Sequence, residues 1–217
     1  MTVAARPPVA PVTPASGVAG LASLGPVVLA DVRWYLDGRD GRAAFEASHV
    51  PGAMWVDLDA HLAAHGRPAA EGRHPLPGAA AFAASMSSLG IGDDTVVVAY
   101  DDTGGMSAGR LVVMLRVLGR RATLLDGGLG AWTADGRPVE SGPAATPVPA
   151  AFTVTEWPTE AFATADEVAA RAAAPDAGRS THVRLVFAAA ALAAMGCDII
   201  TGGGPGCMEG ANRGAQE

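Results

Sequence analysis

Cysteine is nearly absent from this chain: Cys197 and Cys207 are the two in 217 residues. Two thiols cannot build a disulfide framework, so a reducing, cytoplasmic setting is the expectation. Positive charge is also short. Lys and Arg total 15 against 22 Asp and Glu, giving a net charge of −7 and no basic stripe, which argues against a nucleic-acid surface. Long apolar runs are missing. The nearest, Ala188 to Met195, is alanine-rich and far below the roughly 18 residues of a membrane span, so no membrane partner is expected. Met1 to Pro14 has one arginine and four prolines but no apolar core segment, which speaks against a secretory signal. No metal is expected either: Cys197 and Cys207 lack further ligands at suitable spacing, and His182 is isolated. Aromatics make up only 5%, yet hydrophobic residues reach 49%, ample for one α/β domain plus a fragment, or for two small domains.

Along the chain, residues 1–20 are Pro/Ala-rich and read as a mobile arm. Pro26 to Asp31 is a continuous apolar run closing on an aspartate, the pattern of a buried parallel strand. A short helix over Gly41 to Ser48 and a short strand over Ala53 to Val56 follow. Leu76 to Leu89 reads as a helix begun near Pro77 and stopped by Gly90. Thr95 to Tyr100 is the central strand, Ala108 to Leu118 a helix, Ala122 to Leu125 a strand, and Leu129 to Ala134 a helix. This alternation predicts an α/β fold with an open parallel sheet covered on both faces, spanning residues 21–140. Residues 141–163 shift to Pro, Ala and Thr and read as a linker. Residues 164–217 begin like a second domain at Thr164-Ala165-Asp166-Glu167 and break off at Pro175 to Gly178, leaving an incomplete α/β fragment.

The loop between the central strand and the next helix is Asp101-Asp102-Thr103-Gly104-Gly105-Met106-Ser107. A glycine-bearing loop ahead of a helix N-terminus points backbone N–H groups inward and cradles an anion or thiolate. Here its first residue is an aspartate.

Phe45-Glu46-Ala47-Ser48-His49-Val50-Pro51-Gly52-Ala53-Met54-Trp55-Val56 is the sharpest string in the chain. Phe45 is placed to anchor a helix on the sheet, Pro51-Gly52 to turn the chain, and Ala53 to allow close packing as a strand begins. His49 has two readings: a catalytic base, or a structural group bonding its turn to the backbone. The string resembles the rhodanese signature. Asp31-Val32-Arg33, Gly72-Arg73-His74-Pro75-Leu76-Pro77 and Leu124-Leu125-Asp126-Gly127-Gly128-Leu129-Gly130-Ala131-Trp132 also have counterparts in that family. The likeness covers about residues 25–139 and is nearest to the N-terminal half of tandem-domain thiosulfate or 3-mercaptopyruvate sulfurtransferases. It implies a non-catalytic copy, because a cysteine opens this loop in active family members and the second domain carries sulfur as a persulfide. With Asp101 at that place the resemblance implies no catalytic residue and no cofactor. Asp102 would add repulsion toward an anionic donor, and Met106 supplies no positive charge to offset it. Asp101 is read as satisfying the loop N–H groups itself, a structural plug; acid–base use of it has no visible partner in the sequence.

The tail, from Met195 through Gly202-Gly203-Gly204-Pro205-Gly206 to Ala215, resembles a second family, the LONELY GUY-type (lysine-decarboxylase-like) phosphoribohydrolases. That resemblance implies a phosphate loop for a nucleoside monophosphate, but the family's Pro-Gly-Gly-x-Gly-Thr-x-x-Glu motif is absent. A vestige, a fusion scar or a misjoined frame near residue 176 is the plainer account, and Cys207 as a substitute sulfur carrier lacks a rhodanese-type loop around it. Three functional readings follow: an inactive rhodanese-like sulfurtransferase half, a module that binds a protein partner, and a nucleotide-binding tail. The oligomeric state is left open.

Overall fold

The computed structural model describes residues 7–68 and 74–162. The chain divides into two compact units, Met1–Trp157 and Pro158–Glu217. In the second, the described residues form one 3-10 turn, Thr159–Ala161.

The first unit is built on five parallel strands, β1 (Val12–Thr13), β2 (Val27–Asp31), β3 (Met54–Trp55), β4 (Val96–Tyr100) and β5 (Arg121–Leu125), ordered β1-β5-β4-β2-β3 across the sheet. Five α-helices are described: α1 (Gly41–Ala47), α2 (Leu58–Leu62), α3 (Ala79–Ser88), α4 (Met106–Val117) and α5 (Gly128–Ala134). The α/β architecture expected from the sequence, a parallel sheet with helices on both faces, is the one observed. All five β4 residues are buried, as the unbroken apolar run requires of a central strand. Their side chains alternate between two cores. Val97 and Ala99 pack with Phe82 and Met86 of α3 and Leu111 and Leu115 of α4. Val98 and Tyr100 face Phe45 of α1 and Leu129 and Trp132 of α5.

The expected mobile arm is corrected over residues 12–20. Val12 and Thr13 pair with Leu124 and Leu125 at the sheet edge, and a 3-10 helix over Ala15–Leu24 follows. The Thr13 and Thr123 hydroxyls bond at 2.8 Å in the interior, so a polar pair anchors a segment whose composition looks like a tail. The expected linker is corrected as well. Glu140 pairs antiparallel with His49, and Ala144 packs on the α1 side of the sheet. Phe152 is buried on the other side, edge-on to Phe82, and the Trp157 ring lies against Phe82 while its indole N–H donates to the Pro77 carbonyl at 2.7 Å. Residues 140–157 therefore form a strap that passes from one face of the sheet to the other. Helix α3 starts at Ala79, two residues after Pro77, with Gly78 in an extended conformation as its N-cap.

Helix α2 has a clear local cause: Asp57 caps it, accepting from the Asp59 and Ala60 N–H groups at 2.9 and 3.1 Å. Leu58 and Leu62, one turn apart, are its buried pair. His61 closes the helix by accepting the Asp57 N–H on Nδ1 at 3.0 Å. Burial holds the His61 imidazole below its ordinary range, with Asp57 pulling the other way. Among described residues no helix is long and apolar enough to cross a membrane.

Two outcomes follow from this packing. Phe152→Ala should destabilise the first unit by about 3 kcal/mol, the usual cost of removing a buried ring, and a chain ending at residue 142 should melt below one ending at residue 157. Equal melting of the two shortened chains would return residues 143–157 to the status of a linker. For His61, the unfolded chain takes up the proton first, so stability falls as pH drops from the ordinary histidine value through the lower folded one. His61→Gln should flatten that loss in urea titrations run between about pH 7.5 and about pH 5.5.

Candidate functional site

At the carboxyl end of β4 the chain turns through Gly104 and Gly105, both left-handed at φ +72° and +86°, and enters α4. That helix begins at Met106, so Met106 and Ser107 belong to its first turn. The turn aims four backbone N–H groups at one point, and the Asp101 carboxylate occupies it. Oδ1 accepts from Thr103 and Gly105 at 3.0 and 2.8 Å; Oδ2 accepts from Ser107 and Ala108 at 2.9 and 3.0 Å. Asp101 is 1% exposed. Its charge is met by hydrogen bonds and by the amino end of a twelve-residue helix.

The carbonyl of Asp101 is held too, accepting the Leu129 N–H at 3.0 Å. This approach requires Gly128: a Cβ there would lie 2.2 Å from that carbonyl oxygen. Asp102 points elsewhere and is exposed. It accepts the Tyr35 hydroxyl at 2.7 Å, and burial together with the Asp102 carboxylate pushes the Tyr35 pKa up to about 12. The Thr103 hydroxyl is enclosed with no hydrogen-bond partner.

The signature residues form the floor under this loop. Asp31 and Arg33 pair in the interior, with Arg33 Nε 3.0 and 3.1 Å from the two carboxylate oxygens and one terminal nitrogen 2.7 Å from Oδ2. The same terminal nitrogen donates to the Ser48 carbonyl at 2.6 Å, tying the end of β2 to the end of α1. The Val50 N–H donates to the Tyr100 hydroxyl at 3.0 Å, and burial beside Asp31 raises the Tyr100 pKa well above the ordinary tyrosine value. His49 is buried, stacked on Phe45 with ring centroids 3.9 Å apart, and bonded through Nδ1 to the Phe45 carbonyl at 2.9 Å. Its backbone exchanges two bonds with Glu140, whose carboxylate also accepts the Gly52 N–H at the Pro51-Gly52 turn. Ala53 is buried where β3 begins. Thus Asp31, Arg33, Phe45 and Ala53 gather around Tyr100, the residue before Asp101, while His49 and Gly52 tie the neighbouring turn to Glu140.

Tyr35 and Tyr100 were not singled out from the sequence. Nothing in their local pattern separates a tyrosine that positions a loop from one that fills a core. Among described residues no group of three or more His, Cys, Asp or Glu is placed to hold a metal ion. Gly202, Gly203, Gly204, Pro205 and Gly206, with Cys197 and Cys207, lie outside the described residues, as do Gly72 and Arg73.

The rhodanese-like domain family matches residues 17–135 of this chain, and the chain belongs to that family. It is 43% identical over 132 residues to the 3-mercaptopyruvate sulfurtransferase of Homo sapiens, a match covering 58% of this chain and 43% of that protein. Thiosulfate sulfurtransferase of Bos taurus is 40% identical over 129 residues, covering 58% and 42%. The crystal structure of SseA from Escherichia coli, described with the "rhodanese" fold of 3-mercaptopyruvate sulfotransferases, aligns at a TM-score of 0.66 and 26% identity over 77% of this chain and 63% of that one. In both curated relatives the match spans less than half of their length.

Asp101→Ala should therefore orphan four N–H groups and cost about 3 kcal/mol, since buried donors left without an acceptor carry their full desolvation penalty. Added sulfate should recover part of the lost melting temperature by filling the emptied cradle. The same salt should do nothing comparable for Asp102→Ala; equal recovery in both variants would mean a general salt effect.

Proposed function

We propose that this chain is the non-catalytic, N-terminal-type half of a two-domain sulfurtransferase of a reducing cytoplasm, without sulfur-transfer turnover at its own loop. The observation that carries the reading is the Asp101 carboxylate seated among the four loop N–H groups. Sulfur transfer from thiosulfate needs a thiolate in such a cradle. The thiolate attacks the sulfane sulfur, sulfite leaves with the S–S electron pair, and the persulfide passes its outer sulfur to an acceptor. A carboxylate cannot hold that sulfur, and here it fills the space the donor's anionic end would need. The match covers less than half of each curated relative, which leaves room in those proteins for a second domain of similar size.

The purified chain should show no thiosulfate-to-cyanide turnover. Asp101→Cys alone should restore little, because one sulfur cannot serve both pairs of loop N–H groups that the carboxylate holds, and Met106 leaves the donor's anionic end without a cation. Adding Met106→Arg supplies a cation at the first position of α4, so the double variant should exceed the single one. Substantial wild-type turnover that survives mutation of both Cys197 and Cys207 would sink the proposal. Turnover lost only with Cys207→Ser would overturn it in favour of sulfur carriage by the tail.

A further inference from the structure

The strap is a ligand that the chain carries for itself. Its residues 150–157 are held at one seat, lined by α3, the turn after it and Arg120 ahead of β5. Ser87 and Ala150 exchange bonds at 2.6 and 3.0 Å, and the Asp93 N–H donates to the Ala151 carbonyl at 2.9 Å. The Asp93 carboxylate accepts the Thr153 N–H at 2.9 Å. Arg120 pairs with that carboxylate at 2.9 Å and lies 4.9 Å from the centre of the Phe152 ring. Phe82 meets Phe152 with ring centroids 5.9 Å apart, and the Pro77 carbonyl holds Trp157. The backbones approach closely enough to need a glycine: a Cβ on Gly92 would lie 3.0 Å from the Ala151 carbonyl oxygen. A segment held by its main chain and by one buried ring is the way proteins recognise extended peptides.

The stretch leading to the seat is built differently. Its near end is fixed on α1, where the Gly142 N–H donates to the Glu46 carbonyl at 2.7 Å. Residues 143–149 then make no hydrogen bond to any described residue. Pro143, Pro147 and Pro149 keep this run extended. Residues 144–147 border a cavity of about 380 Å³, so they are not packed down onto the sheet edge. Val148 is 84% exposed, a large apolar side chain left to solvent.

A specific seat reached by an unbonded, extended hinge accepts the segment from whichever chain supplies it. We propose that two copies of this chain exchange straps, each placing residues 150–157 in the other's seat, to form a closed two-fold dimer. Every seat contact is kept on exchange, and the two hinges pass one another at the axis, where the exposed Val148 of each gains cover. No residue of the 101–107 loop takes part, so the exchange stands apart from the sulfurtransferase reading.

The full chain should be warmed at about 1 mM, the order of the local concentration that a short linker gives its own segment, and then cooled. Size exclusion with light scattering should find a species of twice the 21.7 kDa chain mass that reverts slowly on dilution, because each strap must first leave its seat. In a dimer made from equal parts of ¹³C-labelled and unlabelled chain, an isotope-filtered NOE should join Phe152 of one copy to Phe82 of the other. Phe152→Ala weakens the seat equally in both forms, so the dimer fraction should hold while reversion speeds up about a hundredfold. Deleting residues 144–146 cuts the reach of the hinge from about 24 to about 14 Å, too short to pass from the α1 face to the α3 face. The dimer should then dominate at micromolar concentration. A wild-type sample that stays monomeric overturns the proposal. So does a dimer whose Phe82–Phe152 contact lies within one chain, a reversion rate that Phe152→Ala leaves unchanged, or a folded monomer after the deletion. The thiosulfate assay bears on none of these outcomes, nor they on it.

Discussion

A strand that enters a helix across two left-handed glycines leaves its N–H groups aimed inward, and negative charge has to sit among them. In this chain Asp101 supplies it from within, four bonds to two oxygens. Much else hangs on that contact. The first-turn N–H groups of any helix lack partners inside the helix, and α4 is the longest described one, sending Leu111, Met114 and Leu115 into the core. The same residue's carbonyl receives α5 through Leu129. One side chain and its own backbone thereby join β4, α4 and α5 at the carboxyl end of the sheet.

The signature string belongs to the same construction. Its residues make few contacts with solvent and many with one another. Arg33 is spent on Asp31 and the Ser48 carbonyl; the Tyr100 hydroxyl receives the Val50 N–H; His49 lies flat on Phe45. These bonds hold the ends of β2, α1 and β4 in register, and so hold the base of the loop. The family's most recognisable residues thus build the platform on which the Asp101 loop rests, and their presence carries no information about the side chain that tops it.

Sheet and helix alternation were legible because buried parallel strands are continuous apolar runs and their helices are long enough to show a period. The loop was legible because glycines ahead of a helix are a local signal. The losses share a different cause. Val12–Thr13 is two residues flanked by Pro11 and Pro14, and only its pairing to Leu124 and Leu125 makes it a strand. Helix α2 is a five-residue piece whose signal, Asp57 followed by Leu58 and Leu62, is too short for periodicity to detect. Beyond the isolated bridge of Glu140 to His49, the strap to Trp157 has no helix or strand; its place is set by single anchors, Phe152 and Trp157, that bind to residues far earlier in the chain. Composition sees proline and alanine there and calls the segment loose. Tertiary contact decides otherwise.

The carboxylate is not a simple stand-in for a sulfur atom. Its two oxygens divide the N–H groups into pairs, Oδ1 serving the loop at Thr103 and Gly105 and Oδ2 serving the helix at Ser107 and Ala108. A thiolate presents one larger, softer acceptor and cannot reach both pairs at distances of 2.8 to 3.0 Å. The loop is therefore closed around a two-point acceptor, tighter than a cradle shaped for sulfur would be. Asp102 is drawn outward by Tyr35, away from the donors, which leaves Asp101 as the one anion in the nest. All four donors are engaged by Asp101, which leaves none of them for a second anion. On the proposed reading, an anionic sulfur donor would be kept out first by an occupied site, with the repulsion between like charges only adding to it.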